Sequence, residues 1–113
     1  MKIINLTKNT LLADTAALAS TPLKRFIGLL GRRAFLPGEA LVLKPCNSIH
    51  TFFMRFPIDV LFLDKNGFVL KGIANLKPFR LTAIYFGAKL AIELPSGTIQ
   101  ESLTQPKDKL VIE

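Results

Sequence analysis

The sequence predicts an α+β domain in which β-strands predominate. Along most of the chain, short apolar runs are separated by Gly, Pro, Asn and Asp, which is typical of strands joined by turns. Only one segment, at about residues 21–31, places its apolar residues at the spacing of a helix. We therefore expect a strongly curved, barrel-like sheet, antiparallel or mixed, with one main helix packed against it.

The composition is that of a folded protein. Half of the 113 residues are apolar and 20% are charged, which excludes a disordered chain. A chain of this length buries roughly two-thirds of the surface that its unfolded form exposes, so residues 1–113 are expected to form a single domain. Polar residues interrupt the apolar ones near the N-terminus, so we expect no secretory signal and no membrane span. The expected location is the cytoplasm, with no membrane as a partner.

The chain is predicted to begin with a β-hairpin. Residues 2–7 and 10–15 have the apolar content of two short strands. Lys8-Asn9 lies between them, and Asn tolerates the positive φ that a tight hairpin turn requires. The two strands should therefore pair antiparallel.

The main helix is predicted from its two ends and from its apolar stripe. Thr21 is a suitable N-cap, and Pro22 suits the first helical position. Gly31 is placed to end the helix. Between these ends, apolar residues recur at a spacing of three and four: Leu23, Phe26, Ile27 and Leu30. One face of the helix should therefore be apolar.

The rest of the chain is predicted to be mainly β-structure. The predicted strands cover residues 40–44, about 49–55, 58–63, 68–75, 88–94 and 110–112. Asp64-Lys65-Asn66-Gly67 is a turn signal, so the strands on either side of it should form an antiparallel hairpin. Residues 98–103 are expected to make one short helical turn.

Charge and metal-ligand content limit the partners that the protein can have. The formal net charge of +7 comes from 15 Lys and Arg against 8 Asp and Glu, which favours acidic partners. The basic residues are scattered rather than grouped in a run, so nucleic acid is not expected as a partner and a solvated basic surface is the simplest interpretation. One cysteine and one histidine cannot form a four-ligand zinc site, and we expect no metal and no cofactor.

The lone cysteine and the lone histidine lie close together in the sequence. Cys46 would be a nucleophile or redox thiol, with His50 as its base. In an extended strand these residues would be about 13 Å apart, so they meet only if the chain turns at residues 46–48, where Asn47 and Ser48 are good turn formers. The alternative, which we favour, is a small buried cysteine and a histidine that is hydrogen-bonded to backbone.

Charged side chains follow in the same segment. Arg55 and Asp59 flank Pro57, and a bend there would let them form a structural ion pair. Alternatively, Arg55 acts with Arg80 as a fork for a carboxylate or a phosphate. Glu93 is expected to be solvated or paired with a lysine, with membership of a site as the alternative.

Four stretches of the chain, taken together, resemble one protein family. They cover residues 21–32, 45–64, 76–80 and 93–97, and the second reads PCNSIHTFFMRFPIDVLFLD. In this order they are similar to the signatures of the domain of unknown function 192 family. The resemblance implies a small, mostly-β domain of bacteria and archaea, and it implies no biochemical activity. The chain departs from the family pattern near its C-terminus, where Lys107-Asp108 replaces the usual Gly-Asp pair.

Two hypotheses for function follow from these residues. The first is a binding module with a pocket for a small anion or another small molecule, built on residues 45–59. Its candidate ligand-binding residues are Cys46, Ser48, His50, Thr51, Arg55, Asp59 and Arg80. The alternative is an enzyme or redox protein that uses Cys46 with His50. The sequence leaves the oligomeric state undetermined.

Overall fold

The computed structural model describes residues 1–29 and 32–113. Within these ranges the protein is mostly β-structure with two short helices, so the predicted α+β class is confirmed. In chain order the elements are β1 (Ile3–Asn5), β2 (Thr10–Ala13), β3 (Thr15–Ala19), α1 (Pro22–Ile27), β4 (Glu39–Leu43), β5 (Ile58–Leu63), β6 (Val69–Leu76), β7 (Leu90–Pro95), α2 (Thr98–Glu101) and β8 (Leu110–Ile112). Neither helix in the described part of the chain has the length and apolar character needed to cross a bilayer.

The strands form two sheets. The smaller is antiparallel, with the order β2-β1-β8, and the larger has the order β3-β4-β7-β5-β6. In the larger sheet β3 is parallel to β4, and the other neighbours are antiparallel. This sheet is therefore mixed. Within the described ranges β3 and β6 remain its two edges, so the predicted barrel-like closure is not confirmed.

Both predicted hairpins are present. β1 pairs with β2, and Asn9 adopts a φ of 57° in the turn between them. β5 pairs with β6, and Asp64 stabilises their turn because its Oδ1 accepts hydrogen bonds from the backbone N–H groups of Asn66 and Phe68. In the same turn Gly67 has a φ of +86°, and a Cβ there would lie 2.7 Å from the carbonyl oxygen of Leu110. This turn therefore requires glycine.

The central strands of the larger sheet are buried on both faces. On one face, side chains of β5 and β7 pack with those of the smaller sheet, and this first core contains Ile3, Leu12, Leu61, Ile92 and Leu94. On the other face, the second core contains Leu29, Ile49, Met54, Val60, Phe62 and Ala91. Such two-sided burial accounts for the nearly continuous apolar sequence of these strands. The second core lies beneath the segment that the sequence identified as the candidate site.

Helix α1 begins as predicted and ends earlier. The Thr21 hydroxyl accepts a hydrogen bond from the Lys24 N–H at 3.1 Å, which confirms the N-cap. The helix ends at Gly28, whose φ of 49° and ψ of −120° suit glycine alone. Leu30 and Gly31, the last predicted helical positions, lie outside the described residues. No residue of α1 is buried.

Two expectations about strands are wrong. Residues 49–55 are not a strand: His50 makes an isolated bridge with Leu81, and the chain turns directly afterwards. In this turn the Thr51 carbonyl accepts hydrogen bonds from the N–H groups of Met54 and Phe79, so His50, Phe52, Met54 and Phe56 do not alternate on one face. The sequence analysis also missed β3, an alanine-rich segment with low β-propensity that gains its order by pairing with β4.

Candidate functional site

A cavity of about 280 Å³ lies between α1 and the loop that follows β4. One wall is formed by the helix and by Gly28-Leu29, another by residues 45–50, and strand residues form the floor. Its lining residues are Arg25, Phe26, Ile27, Gly28, Leu29, Leu43, Pro45, Cys46, Asn47, Ser48, Ile49, His50, Met54 and Glu93. The cavity thus brings apolar side chains together with several polar ones, among them Arg25, Ser48, His50 and Glu93.

Glu93 is the buried carboxyl group of this cavity. It lies on β7 between Leu41 of β4 and Val60 of β5, and it is 3% exposed. Its Oε1 atom has no hydrogen-bond partner among the described residues. Burial raises the pKa of this carboxyl from 4.5 to about 8, because desolvation disfavours the charged form. At neutral pH Glu93 is therefore mainly a neutral carboxylic acid.

Gly28 brings the backbone close to this carboxyl group. A Cβ at this position would lie 3.6 Å from Glu93 Oε1 and 3.7 Å from the Arg25 carbonyl oxygen. The Gly28 N–H does not bond to Glu93, because it donates to the Lys24 carbonyl at 2.9 Å. The end of α1 therefore covers Glu93, but the Gly28 N–H donates no hydrogen bond to its carboxyl group.

Cys46 is a half-buried thiol on the opposite wall. Its Sγ donates a hydrogen bond to the Ser48 carbonyl at 3.0 Å. Burial raises the pKa of this thiol; the Ser48 contact and Arg25 lower it, and Glu93 raises it. Because only the thiolate is a strong nucleophile, the raised pKa does not favour Cys46 as a nucleophile.

His50 lies at the rim of the cavity between two aromatic rings. Its ring centroid is 5.5 Å from that of Phe26 and 5.4 Å from that of Phe52. The Phe52 N–H donates to His50 Nδ1 at 3.3 Å, which places the proton of the neutral ring on Nε2. His50 and Cys46 thus line one cavity, and each is hydrogen-bonded to backbone, but Cys46 is half-buried where a buried cysteine was expected.

Ser48 and Thr51 tie the cavity loop to residues 77–82. The Ser48 hydroxyl donates to the Thr82 carbonyl at 3.2 Å. The Thr51 hydroxyl donates to the Lys77 carbonyl at 2.6 Å and accepts from the Arg80 N–H at 2.9 Å. Ser48 also lines the cavity, whereas Thr51 is fully buried outside it. The role of Thr51 in this geometry is to hold two loops together.

The other predicted ligand-binding residues lie away from the cavity. Asp59 is fully buried, and its carboxylate accepts three hydrogen bonds from backbone N–H groups, those of Asn75 (2.8 Å), Gly97 (3.1 Å) and Ile99 (2.8 Å). It therefore does not form the expected ion pair with Arg55: the salt bridges in the described part of the chain join other residues. Arg55 and Arg80 are exposed, and neither lines the cavity.

From the sequence, Glu93 was placed in a site only as the alternative interpretation, and Arg25 was given no role. Glu93 was expected to be solvated or paired with a lysine, and it is neither. The signal was present in the sequence, because Glu93 interrupts the apolar strand Leu90-Ala91-Ile92-Glu93-Leu94, where a charge is rarely buried without a specific role. Arg25 lines the same cavity.

Two relatives of the chain come from Pyrococcus species. The UPF0127 protein of Pyrococcus furiosus is 32% identical over 114 residues, which covers 96% of this chain and 95% of the relative. The UPF0127 protein of Pyrococcus horikoshii is 36% identical over 107 residues, which covers 89% of each chain.

A solved structure shares the fold. The crystal structure of a protein of unknown function from Novosphingobium aromaticivorans superimposes with a TM-score of 0.87 at 18% identity, over 99% of this chain and 84% of that chain. At this identity the likeness shows the fold alone. The sequence profile of the DUF192 family, described as "Uncharacterized ACR", matches residues 3–112. The chain therefore belongs to the DUF192 family.

Proposed function

We propose that the protein binds a small polar molecule in the cavity beside α1. The observation that carries this proposal is the Oε1 atom of Glu93, which is buried at the cavity and has no hydrogen-bond partner among the described residues. A buried polar atom without a partner costs about 1–3 kcal/mol, and proteins rarely retain one without a reason. A ligand that donates a hydrogen bond to this oxygen would recover that cost.

The protonation state of Glu93 defines the ligand group that it suits. As a neutral acid, it offers one O–H donor and one carbonyl acceptor. A primary amide or a hydroxyl group can both donate to it and accept from it. A neutral Glu93 also does not repel an anion, so the ligand can carry a carboxylate or a phosphate elsewhere.

Arg25 is the group that we assign to such an anionic part. It lines the cavity, and one guanidinium nitrogen, Nη1, donates to the Ser20 carbonyl at 2.9 Å. The guanidinium has five N–H donors, so others are available to a carboxylate or phosphate, which arginine binds well. The small-anion hypothesis is thus kept, with Arg25 in the place that the sequence analysis gave to Arg55 and Arg80.

A thermal-shift screen with small carboxylates, phosphates and hydroxy or amide acids tests this proposal. At a concentration of about 100 times Kd, a ligand stabilises the folded state by about 2.7 kcal/mol, which is readily detected as a rise in Tm. We expect Arg25→Ala to abolish the shift. Arg55→Ala is the matched control, because it removes an exposed arginine outside the cavity, and it should retain the shift.

Two results of this screen would refute the proposal. One is that no member of a broad panel raises the Tm of the unaltered protein. The other is that Arg55→Ala removes the shift as completely as Arg25→Ala, because the ligand would then lie outside the cavity.

The alternative function, an enzyme or redox protein using Cys46 with His50, has less support. The thiol pKa is raised, and His50 Nδ1 is occupied by a backbone donor. We expect iodoacetamide to alkylate Cys46 more slowly than a free cysteine peptide at neutral pH, since the thiolate fraction is lower. Faster alkylation than the peptide would revive this alternative.

A further inference from the structure

A group of exposed apolar side chains lies beside the cavity, and we call it the apolar face. It comprises Leu23, Phe26, Phe52, Phe53, Phe79 and Leu81, which are between 39% and 74% exposed. Single exposed apolar residues are common, but a contiguous group marks an interaction surface. The apolar stripe predicted for the helix therefore forms part of a surface instead of packing on the core.

Contacts between the side chains show that the face is continuous. Phe26 and Phe52 both lie against the His50 ring, and His50 forms a β-bridge with Leu81. On the adjoining turn, the ring of Phe53 packs edge-on against Phe79 with a centroid distance of 5.5 Å. Residues from α1, from the 50–53 turn and from the 79–81 segment thus meet on one side of the molecule.

Two of these phenylalanines are held in an unfavourable backbone conformation. Phe53 has a φ of 63° and Phe79 a φ of 61°, which is uncommon for a bulky residue. Hydrogen bonds to the carbonyl of Thr51, from the N–H groups of Met54 at 3.2 Å and Phe79 at 2.9 Å, maintain both turns. The fold therefore tolerates backbone strain at two residues whose aromatic rings are exposed to solvent. Such strain is typical of functional sites.

The charged residues in the segments that supply the face are all basic. Five basic residues are adjacent, or next but one, to members of the face in the sequence: Lys24, Arg25, Arg55, Lys77 and Arg80. The three segments that supply the face and these cations, residues 20–29, 50–55 and 77–82, contain no Asp or Glu. A partner for this face is therefore expected to be anionic as well as apolar.

We propose that the apolar face docks on the surface of an anionic lipid bilayer. Apart from Phe26, which also lines the cavity, its side chains are exposed without lining that cavity. A bilayer interface accepts exposed Phe and Leu side chains while its anionic headgroups attract Lys and Arg. A second copy of this chain would bring like charges together. A nucleic acid would use the rings for stacking, but it would leave Leu23 and Leu81 without a role. This surface revises the expectation of no membrane partner, which was based on spanning segments, and it does not depend on a ligand in the cavity.

Vesicle flotation tests this proposal. We expect the protein to bind vesicles of equal parts phosphatidylglycerol and phosphatidylcholine and not to bind vesicles of phosphatidylcholine alone. Added salt should release the bound protein, because it screens the attraction between its basic residues and the anionic headgroups. The double variant Phe53→Ser/Phe79→Ser should lower the partition coefficient roughly tenfold or more, because less apolar surface is buried in the interface. Arg80→Glu should lower it roughly tenfold by reversing one charge near the headgroups.

Two matched control variants keep the test specific. Leu103→Ser alters a leucine that is also exposed and also has a positive φ, of 59°, but that follows α2 beside the smaller sheet. Lys107→Glu reverses an exposed charge near β8. Both should bind vesicles like the unaltered protein, and all variants should keep its Tm to within a few degrees.

Several outcomes would overturn the proposal. They are failure to bind the anionic vesicles, equal binding to both kinds of vesicle, or an equal loss of binding in Leu103→Ser. Binding to a single-stranded oligonucleotide or to an acidic polypeptide, without binding to vesicles, would also overturn it and would assign the face to that partner.

Discussion

Two buried carboxyl groups on neighbouring strands differ in their hydrogen bonds. Asp59 on β5 and Glu93 on β7 occupy consecutive rungs of one ladder, since Asp59 pairs with Leu94 and Val60 pairs with Glu93. Asp59 is 0% exposed and Glu93 is 3% exposed. Yet Asp59 accepts three hydrogen bonds from backbone N–H groups, whereas Oε1 of Glu93 accepts none in the described part of the chain.

The difference follows from the face of the sheet that each residue occupies. Asp59 points toward the first core, where it joins β5 to β6 and to the start of α2 through Asn75, Gly97 and Ile99. Glu93 points toward the second core, beneath the loop and helix that enclose the cavity. Burial alone therefore does not identify a site in this protein. The candidate site is inferred from the unsatisfied carboxyl group, because the described residues supply no partner for Oε1 of Glu93.

The largest expected effect comes from removing the satisfied carboxylate. Asp59→Ala removes the acceptor of three partly buried hydrogen bonds from backbone N–H groups, and an N–H group left without a partner costs about 1–3 kcal/mol. We expect the free energy of unfolding, measured by urea denaturation, to fall by roughly 3–6 kcal/mol. Asp59→Asn, which keeps one acceptor oxygen, should lose less. If Asp59→Ala lowered the free energy of unfolding by less than about 1 kcal/mol, these hydrogen bonds would not stabilise the packing of α2.

The next effect is a pH dependence that Glu93 alone introduces. Its pKa is about 8 in the folded protein, above the ordinary value of 4.5, so its contribution to stability is complete below pH 4.5 and is lost as the pH rises through 8. Across this window the stability of the unaltered protein should fall relative to Glu93→Gln by on the order of 4 kcal/mol. Urea denaturation of both proteins at several pH values measures the difference. Parallel pH profiles would show that Glu93 titrates normally.

A smaller effect is expected where the backbone approaches Glu93. Gly28→Ala puts a side chain on a residue with a φ of +49°, which should cost about 1–2 kcal/mol of stability through backbone strain. The matched control is Gly87→Ala, which has a φ of +99° and meets only Leu70 Cδ1, at 3.8 Å. Both variants should lose stability in urea denaturation, but only Gly28→Ala should weaken the ligand-induced thermal shift. If both variants weakened the ligand-induced thermal shift equally, Gly28 would have no specific role in ligand binding.

Local sequence signals predicted the elements that local interactions form. The turns at Lys8-Asn9 and at residues 64–67 were predictable because Asn, Asp and Gly carry their own turn chemistry. The helix start was predictable from Thr21 and Pro22 for the same reason. The helix end was not, because two glycines were available and the sequence does not show which of them must approach a buried carboxyl group.

The candidate site was predictable only in part. The sequence predicted a site on residues 45–59, and of these, residues 45–50 and Met54 line the cavity. The strand expected at residues 49–55 is replaced by a turn because Thr51 bonds to residues 77–80, a long-range interaction that no local periodicity reveals. Glu93 was misjudged because charged residues on strands usually face solvent, and it is buried only because the end of α1 and residues 45–50 pack over β7.

The main conclusion is that Glu93 is a buried carboxyl group with a raised pKa. A ¹³C NMR titration of its carboxyl carbon tests this conclusion, and Glu93→Gln serves to assign the signal. A midpoint near pH 8, well above the ordinary 4.5, is expected if the group is buried without a partner. Addition of a ligand found in the thermal-shift screen should then change both the chemical shift and the midpoint. A midpoint near 4.5 would contradict this account, because it would mean that the carboxylate is solvated or paired in the folded protein.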